Sequence, residues 1–252
     1  MFNLFKKKPT AQPLPLYLPF QTDLHSHILP GIDDGSPDIA TSVQLVKGIY
    51  DLGIRKTVAT PHVISDIYRN TPDTINAALV QLRAACLAEH INIEINAAAE
   101  YMLDDYFLKL LHEDAPLLSI YNNIILTEQS YASSSNNLNE IAFAIMSKGY
   151  RPIMAHPERY FYYHNNYEAY GHLKDMGFFL QVNVLSLTGY YGKSVAKAAK
   201  YLLENDMADF VGTDMHHYRH LSVLQKPETL ELFQRHLDNV YTMCSVIFRT
   251  VH

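Results

Sequence analysis

Seven short apolar segments alternate with helical patterns along this chain, and that order constrains the fold more than any other feature. The apolar segments are residues 22–26, 56–62, 91–100, 123–128, 152–157, 178–184 and 209–216. The helical patterns lie near residues 37–52, 72–90, 103–112, 136–148, 166–176, 191–205 and 226–240. Strands that alternate with helices predict a parallel sheet, which can be a doubly wound open sheet or a closed barrel of about seven strands.

Helix-boundary residues mark several of these predicted helices. Ser36 followed by Pro37 predicts an N-cap and a first helical position, and the sequence TPDT at 71–74 gives the same signal for the second helix. Glycines stand where helix C-termini are expected, at Gly53, Gly149 and Gly177. The polar sequence SSSNNLN at 133–139 predicts a loop that leads into the fourth helix.

The composition predicts one globular α/β domain. The 252 residues are 48% hydrophobic and 18% charged, which can form a sizeable core, and no linker divides the chain. We therefore expect a flexible tail at 1–20 and a single domain at 21–252. The net charge of −6 argues against a general nucleic-acid binder. Because only Cys86 and Cys244 are present, we expect no disulfide framework and a reducing, cytoplasmic location.

The N-terminal segment does not match a signal peptide. The lysines at 6–8 are followed by no apolar stretch, and no run in the chain approaches the roughly 18 apolar residues of a membrane span. A flexible, solvated tail is the simpler interpretation, but Phe2, Leu4 and Phe5 beside the lysines also permit docking to a membrane surface or a partner protein. Membrane contact would be weak, since each lysine contributes about 1 kcal/mol near an anionic surface.

Six of the seven predicted strands end in side chains that can bind metal ions. These side chains are His25, His27, His62, Glu100, Glu128, His156, Asp214 and His216. In an α/β barrel the C-terminal strand ends converge on one face, so groups far apart in sequence would meet there. Side chains at i and i+2 of a strand point the same way, so His25 and His27 can face one ion. Asp33 or Asp34 can return to that ion from the following loop.

This set contains more potential ligands than a single metal ion can coordinate. About five histidines and four carboxylates suit two or three divalent ions such as manganese, iron or zinc. Adjacent ions can stabilise both the attacking and the leaving oxygen at phosphorus. A single His-x-His pair would be weak evidence, and it is the repetition at nearly every strand end that favours a metal site. The other histidines are expected at the surface or in loops, at His90, His112, His164, His172, His217, His220, His236 and His252.

The order of the motifs resembles a known enzyme family. DLHSHILPGIDDG, TPH, AAAEYML, ILTEQS, MAHPERY and VGTDMH follow one another as in the PHP superfamily (polymerase and histidinol phosphatase). The chain is most similar to its bacterial capsule-type protein tyrosine phosphatases, the CpsB/YwqE-like group, over roughly residues 20 to 245. The resemblance implies a distorted (β/α)7 TIM-like barrel with a trinuclear centre, for which manganese is the first expectation. It also implies hydrolysis of phosphotyrosine on the C-terminal tail of a bacterial tyrosine kinase that controls capsular or other extracellular polysaccharide.

The resemblance also implies roles for individual residues. The family's metal ligands fall on His25, His27, Asp34, His62, Glu100, Glu128, His156, Asp214 and His216. Asp34 is favoured over Asp33 because the family uses the second acid before the glycine, and Glu100 would be the bridging ligand. Arg159 matches the arginine that contacts phosphate. Arg219 is a candidate second clamp, although family members often place that arginine a little further beyond the last histidine.

Two segments near the predicted site leave the shape of its pocket open. The sequence EQS at 128–130 departs from the apolar residues that usually follow this glutamate in the family. The sequence ERYFYYHNNYEAY at 158–170 concentrates aromatic residues, which can pack under a loop or form a stacking wall for the phenol ring of a substrate. Tyr190 and Tyr191 raise the same two alternatives.

Other functions were weighed against this one. A cysteine-dependent phosphatase needs Cys-x5-Arg, but Asn92 stands at that place after Cys86, and Arg249 comes one residue too early after Cys244. The main alternative is a PHP phosphatase for a small phosphomonoester such as histidinol phosphate. A metal-stabilised binding module without turnover is less favoured because the ligand set is complete, and the acidic balance argues against a nuclease.

Overall fold

The computed structural model describes residues 17–237 of the chain. The expected tail up to residue 16, Cys244 and the last residues of the final predicted helix lie outside the described residues. Within them, Cys86 is a buried free thiol. None of the described helices is both long and apolar enough to cross a membrane.

The described chain alternates strands and helices as the sequence predicts, but two of the predicted strands are interrupted. The strands are β1 (Thr22–Asp23), β2 (Lys56–Ala59), β3 (His62–Ile64), β4 (Tyr68–Arg69), β5 (Glu94–Ala97), β6 (Glu100–Met102), β7 (Ile124–Glu128), β8 (Arg151–Ala155), β9 (Phe179–Asn183) and β10 (Phe210–Gly212). The helices are α1 (Ile39–Asp51), α2 (Pro72–Ala88), α3 (Asp105–His112), α4 (Leu138–Ser147), α5 (Glu168–Asp175), α6 (Lys193–Glu204), α7 (Tyr218–Leu224) and α8 (Pro227–His236). Short 3-10 turns lie at Pro157–Arg159, Phe161–Tyr163 and Val184–Thr188.

The strands close into a barrel rather than an open sheet. One sheet has the order β1-β2-β5, and the other has the order β10-β9-β8-β7-β6-β3-β4. Pairing is parallel throughout, apart from the β3–β4 hairpin. A parallel bridge between Ser26 and Met215 joins the first strand to the last, and the His27 amide donates to the Met215 carbonyl at 2.8 Å. Counting β2 with β3 and β5 with β6, and leaving out the hairpin strand β4, gives the seven parallel strands of a distorted TIM-like barrel.

The two interruptions explain the distortion. Thr60 and Pro61 separate β2 from β3, and Ala98 and Ala99 separate β5 from β6. Pro61 has no N–H to donate to a sheet, so the strand cannot continue its ladder there unbroken. The two breaks still face each other, because the Glu100 amide donates to the Pro61 carbonyl at 3.0 Å. The two breaks therefore change the direction of β3 and β6 at the end of the barrel that carries His62 and Glu100.

Helix boundaries correct one expectation and confirm another. Asp38, not Ser36, caps α1, and its carboxylate accepts from the Thr41 amide at 2.8 Å. Ser36 is buried instead, and its hydroxyl donates to the Asp38 carbonyl. The second prediction is confirmed, since Thr71 forms a reciprocal capping box at the start of α2, with proline at the first helical position. The loop at 133–139 also leads into α4 as predicted.

Helix α7 was not predicted from the sequence. It is only seven residues long and directly follows the histidine-rich end of the last strand. The His217 ring caps it by accepting from the His220 amide, and its inner face buries Leu221 and Leu224. Leu221 packs so closely on α1 that a Cβ atom on Gly48 would lie 2.2 Å from its Cδ2 atom. Tertiary contact therefore holds a helix that is too short to be stable by itself.

The apolar residues form two clusters on opposite faces of the strands. A large cluster lies between the strands and the helices and includes Ile125 of β7. A small cluster contains Ile124 and Leu126 of the same strand, together with residues of β8 and β10. Since alternate residues of a strand share a face, Glu128 continues the row of Ile124 and Leu126. The strand thus presents an acid at its C-terminal end, beyond a filled apolar interior.

Candidate metal centre

All nine residues predicted as metal ligands meet at the carboxyl end of the barrel strands. They form four overlapping groups, and in each group the nitrogen and oxygen atoms lie within 4.8 Å of one another. The groups are His25–His27–Glu100, His25–His156–Asp214, His62–Glu100–Glu128 and His27–Asp34–His62–His216. Most of these side chains are buried, whereas Asp34 is exposed at the rim. Shared members link the four groups into one continuous cluster.

Glu100 lies at the centre of this cluster. Its Oε2 atom is 3.3 Å from His25 Nε2, 3.2 Å from His27 Nε2 and 3.2 Å from His62 Nδ1. Its Oε1 atom is 3.0 Å from His156 Nε2. The two oxygens of one carboxylate thus face four imidazoles, which is the arrangement expected of a ligand shared between neighbouring ions.

Several buried atoms of the cluster have no hydrogen-bond partner among the described residues. They are His62 Nδ1, Glu100 Oε2 and Glu128 Oε1. His62 Nδ1 and Glu128 Oε1 face each other at only 2.8 Å. Orphaned buried polar atoms are costly, and lone pairs that converge in this way are satisfied by a cation. The imidazole and carboxylate donors therefore fit divalent ions such as manganese, iron or zinc.

Polar residues behind the cluster orient its imidazoles. His25 Nδ1 is 2.8 Å from Gln181 Oε1, and His27 Nδ1 is 2.7 Å from Asp33 Oδ2. These contacts place the Nδ1 proton on the outer side of each ring, so the Nε2 lone pair faces the centre. Asp33 also accepts from the Gly35 amide at 2.9 Å, so it supports the loop as well as the His27 ring.

Asp214 joins the cluster to the predicted phosphate-binding arginine. Its Oδ1 atom lies 3.3 Å from His25 Nε2, while its Oδ2 atom accepts from Arg159 Nη1 and from Asn183 Nδ2, each at 2.7 Å. Asp214 has φ +50° and His156 has φ +34°, in the left-handed region that residues other than glycine rarely adopt. Two strained backbone positions at the ends of β8 and β10 indicate a functional constraint on these side chains.

Electrostatics keep the carboxylates charged, whereas the imidazoles of the metal-free cluster differ in protonation. Burial opposes the charge of His25, His27 and His62, but the neighbouring carboxylates outweigh burial and raise the pKa of each. Burial opposes the charge of Glu100, but the imidazoles of His25 and His62 hold its pKa well below the usual range. Burial, together with the imidazole of His27, lowers the pKa of His216 to about 4. His216 is therefore neutral at pH 7, in the form that a metal ion requires of a histidine ligand.

The remaining predicted residues divide into two cases. Arg159 reaches the cluster through Asp214, as described above. Arg219 lies exposed on α7, and within the described range no hydrogen bond or ion pair links its side chain to the cluster. Its role as a second clamp stays a prediction. His220 corrects an expectation, because it is buried rather than at the surface, with Nδ1 3.1 Å from the Asp214 carbonyl.

Sequence reasoning missed Gln181 and Asn183, although a signal was present. They occupy positions i and i+2 of the otherwise apolar strand FFLQVNV and are both fully buried. Gln181 Nε2 donates to Asn183 Oδ1 at 2.9 Å, so the pair connects His25 to Asp214. Two polar residues on one face of a buried strand indicate a polar network at the end of that strand.

The aromatic sequence at 158–170 serves mainly in packing. Tyr160, Tyr163 and Tyr170 are buried in the large apolar cluster. The aromatic rings beside Arg159 come from other segments, at Tyr131 and Tyr191. Packing therefore accounts for these three tyrosines of the segment 158–170, while the rings in contact with Arg159 belong to other segments.

Comparison with known proteins points in the same direction as the geometry. The family described as capsular polysaccharide synthesis, CpsB/CapC, matches residues 21–243. The tyrosine-protein phosphatase YwqE of Bacillus subtilis is 29% identical over 197 residues, 78% of each chain. The tyrosine-protein phosphatase CpsB of Streptococcus pneumoniae is 31% identical over 201 residues, 77% of this chain and 82% of that protein.

Solved structures give the same relationship. Crystal structures of YwqE from Bacillus subtilis and CpsB from Streptococcus pneumoniae, described as unique metal-dependent tyrosine phosphatases, match with a TM-score of 0.75 and 28% identity. The match covers 88% of this chain and 93% of the solved one. The lactonase Lmo2620 from Listeria monocytogenes matches with a TM-score of 0.54 at 14% identity, which indicates a shared fold alone.

Proposed function

Because the chain belongs to the CpsB/CapC family of capsular polysaccharide synthesis, we propose that it is a metal-dependent protein tyrosine phosphatase. The reaction is the hydrolysis of a phosphotyrosine ester to tyrosine and inorganic phosphate. The observation that carries the proposal is the cluster of nine imidazole and carboxylate side chains around Glu100, with Arg159 at its edge. Such a donor set suits two or three divalent ions, with manganese first and iron or zinc as alternatives.

The proposed ligands are the nine residues expected from the sequence, namely His25, His27, Asp34, His62, Glu100, Glu128, His156, Asp214 and His216. Divalent ions held by them supply Lewis acidity for the attack of water on phosphorus. Glu100 can serve two neighbouring ions because its oxygens face different imidazoles. Asp34, at the exposed rim, is free to adjust as ions and substrate bind.

Arg159 is the proposed phosphate-binding residue. Nη1 is committed to Asp214, so the guanidinium is fixed in place while its other N–H groups can bind two phosphoryl oxygens. A positive group held there stabilises the charge that develops on those oxygens in the transition state. Arg219 on α7 is retained as a proposed second contact that substrate binding would have to draw toward the site.

We propose that the substrate is the tyrosine-rich C-terminal tail of a cytoplasmic bacterial tyrosine kinase in capsular or extracellular polysaccharide synthesis. The family's link to capsule synthesis supports this assignment. The relatives named as tyrosine-protein phosphatases favour it over histidinol phosphate. Residues 21–252 form the proposed catalytic domain, and the segment before them offers at most weak contact with a membrane surface.

The test is phosphate release from a tyrosine-phosphorylated peptide, measured with added manganese and again after chelation. We expect release that depends on the metal and that is much faster than release from histidinol phosphate at equal concentration. A faster reaction with histidinol phosphate would replace the proposal with the small-molecule alternative. No release from either substrate by protein shown to hold its metals would contradict a phosphatase function.

A further inference from the structure

Two tyrosines outside the metal cluster hold the guanidinium of Arg159. Its Cζ atom lies 4.3 Å from the ring centroid of Tyr191 and 5.1 Å from that of Tyr131. Both distances are within the range of a cation–π contact. Because Arg159 also donates to Asp214, the two rings stand directly beside the place where a phosphate would bind. Tyr131 and Tyr191 are named the tyrosine pair below.

The hydroxyl of Tyr191 is buried without a hydrogen-bond partner among the described residues. A buried hydroxyl usually has a partner, because leaving one unsatisfied is costly. Burial raises the pKa of Tyr191, so the hydroxyl keeps its proton at neutral pH and can donate a hydrogen bond. An unpaired donor beside Arg159 is suited to a phosphoryl oxygen.

The segment that carries Tyr191 is fixed to the segment that carries Arg159. Glu158, which precedes Arg159, accepts through Oε1 from the Ser186 hydroxyl at 2.6 Å and from the Asn183 amide at 2.9 Å. Ser186 belongs to the 3-10 turn that leads to Tyr191. These buried polar contacts fix the turn that precedes Tyr191 to the segment that carries Arg159.

Tyr131 is held by the residue that departs from the family pattern. The Gln129 side chain is buried and donates to the Tyr163 hydroxyl at 2.9 Å. Its Oε1 atom accepts from the Ser134 hydroxyl and the Ser135 amide, so it fixes both ends of the loop around Tyr131. An apolar residue at this position could make none of these contacts.

Tyr131 has a free ring surface as well as a contact with the cluster. Its ring lies nearly parallel to that of His156, with centroids 5.8 Å apart and an angle of 16°. The residue is nevertheless 42% exposed. An aromatic surface that is both fixed and accessible can pack against the aryl group of a bound ester.

We propose that the tyrosine pair makes the site selective for aryl phosphates: the Tyr191 hydroxyl donates to a phosphoryl oxygen, and the Tyr131 ring packs against the aryl group. This inference rests on the proposed function and names the groups that would distinguish phosphotyrosine from an alkyl phosphate. The two tyrosines have different roles in this proposal. Tyr191 binds the part that all phosphate esters share, and Tyr131 binds the part that only aryl esters have.

The experiment measures binding of two stable phosphonates to the manganese-loaded full chain by titration calorimetry. Phenylphosphonate carries an aryl group and methylphosphonate does not. We expect Tyr191→Phe to weaken the binding of both ligands by about tenfold, since it removes one hydrogen bond to an anion. We expect Tyr131→Leu to weaken phenylphosphonate about fivefold more than methylphosphonate. Tyr201→Phe, at a partly buried tyrosine of α6 whose ring packs against Tyr167, is the matched control and should leave both affinities unchanged.

The stability of the variants separates a binding role from a structural one. Tyr191→Phe removes a buried hydroxyl that has no partner, so its Tm should equal or exceed that of the unaltered protein while phosphonate binding falls. A lower Tm together with unchanged binding would overturn the role of Tyr191. If Tyr131→Leu weakens the binding of both phosphonates equally, the proposed contact between Tyr131 and the aryl group is wrong. Tyr131 would then affect binding only by holding Arg159.

The binding measurement distinguishes failure of this inference from failure of the proposed function. Protein that prefers phenylphosphonate to methylphosphonate through Tyr131, yet releases no phosphate from a phosphotyrosine peptide, would contradict the phosphatase assignment and support the tyrosine pair. Protein that hydrolyses the peptide but shows no preference between the two phosphonates would support the function and contradict the tyrosine pair.

Discussion

Glu100 is the side chain on which the candidate centre depends most, because it faces four imidazoles that come from three different strand ends. Replacing it by glutamine keeps the shape but removes a charge and one strong acceptor. We expect Glu100→Gln to weaken manganese binding and to slow phosphate release, each by at least about 100-fold. This loss is larger than the loss usually caused by replacing a residue that only orients a metal ligand. Metal content by mass spectrometry, alongside activity, checks this prediction.

The control for that variant is Glu113→Gln. Glu113 is an exposed acid at the end of α3, and among residues 17–237 it pairs with Lys109 one turn earlier. Exposed ion pairs of this kind contribute little to stability, and Glu113 is not one of the candidate ligands. Metal content and activity should therefore not change. Full manganese occupancy in Glu100→Gln would contradict the central position given to Glu100.

Gln181 tests the orientation of the ligands rather than the ligands themselves. Its Oε1 atom fixes the outer nitrogen of His25, and it touches no substrate. We expect Gln181→Met, of similar volume, to weaken manganese binding by about 10- to 100-fold while the protein remains folded. Excess manganese should restore activity in Gln181→Met but not in Glu100→Gln, and a failure of this rescue would mean that Gln181 acts in another way.

At the scale of the element, α7 shows how a short helix is fixed by one close contact. Gly48 of α1 allows Leu221 of α7 to approach to a distance that any side chain would block. Gly48→Ala should gain up to about 1 kcal/mol in helix propensity and lose about 1–3 kcal/mol through overpacking. The expected result is a net loss of roughly 1 kcal/mol in the free energy of unfolding, measured with urea.

Gly171 in α5 provides the matched comparison, because a Cβ atom there would meet nothing within 4 Å. Gly171→Ala should therefore stabilise the protein by up to about 1 kcal/mol through helix propensity alone. If both substitutions stabilise, Leu221 can move away and α7 is packed less tightly than its position indicates. Because α7 starts two residues after His216, loss of this packing should also reduce metal binding.

At the scale of the whole molecule, the cluster links stability to both metal and pH. In the metal-free protein, burial opposes the charge of His62, but Glu100 and Glu128 outweigh it and raise its pKa to about 9. A histidine whose pKa is raised in the folded state stabilises the folded protein, and this contribution is complete below the ordinary pKa of about 6.5. The contribution is lost as pH rises through about 9. His216, whose pKa is lowered to about 4, is neutral in both states across this window and adds no slope.

Chelated protein should therefore lose stability between pH 7 and pH 9. Manganese-loaded protein should not, because the ions bind the neutral imidazoles and replace the protons. Bound metal adds about 2.7 kcal/mol at a free concentration of 100 times Kd. Thermal unfolding across this pH range, with and without chelator, tests the prediction. Parallel slopes in the two series would show that the cluster does not exchange protons for metal.

The fold and most of the candidate site could be predicted from sequence for one physical reason. Each strand and each helix is encoded by a short segment of sequence. Parallel strands bring their C-terminal ends to the same face of the barrel, so residues at those ends meet even when the strands are far apart in the sequence. This pattern predicts His25, Glu128 and His156 as neighbours, and the structure places their side chains in one cluster. The α/β class, the order of the elements and eight of the nine candidate ligands follow from this pattern, whereas the choice of Asp34 over Asp33 rests on the resemblance to the PHP superfamily.

Tertiary structure decided what depends on contact between distant segments. The choice between an open sheet and a barrel rests on the Ser26–Met215 bridge, which links the two ends of the described domain and has no local signal. The burial of His220, the α7 helix and the tyrosine pair around Arg159 likewise depend on neighbours that come from elsewhere in the chain. Local periodicity fixes which face a residue occupies, but only packing determines what stands opposite it.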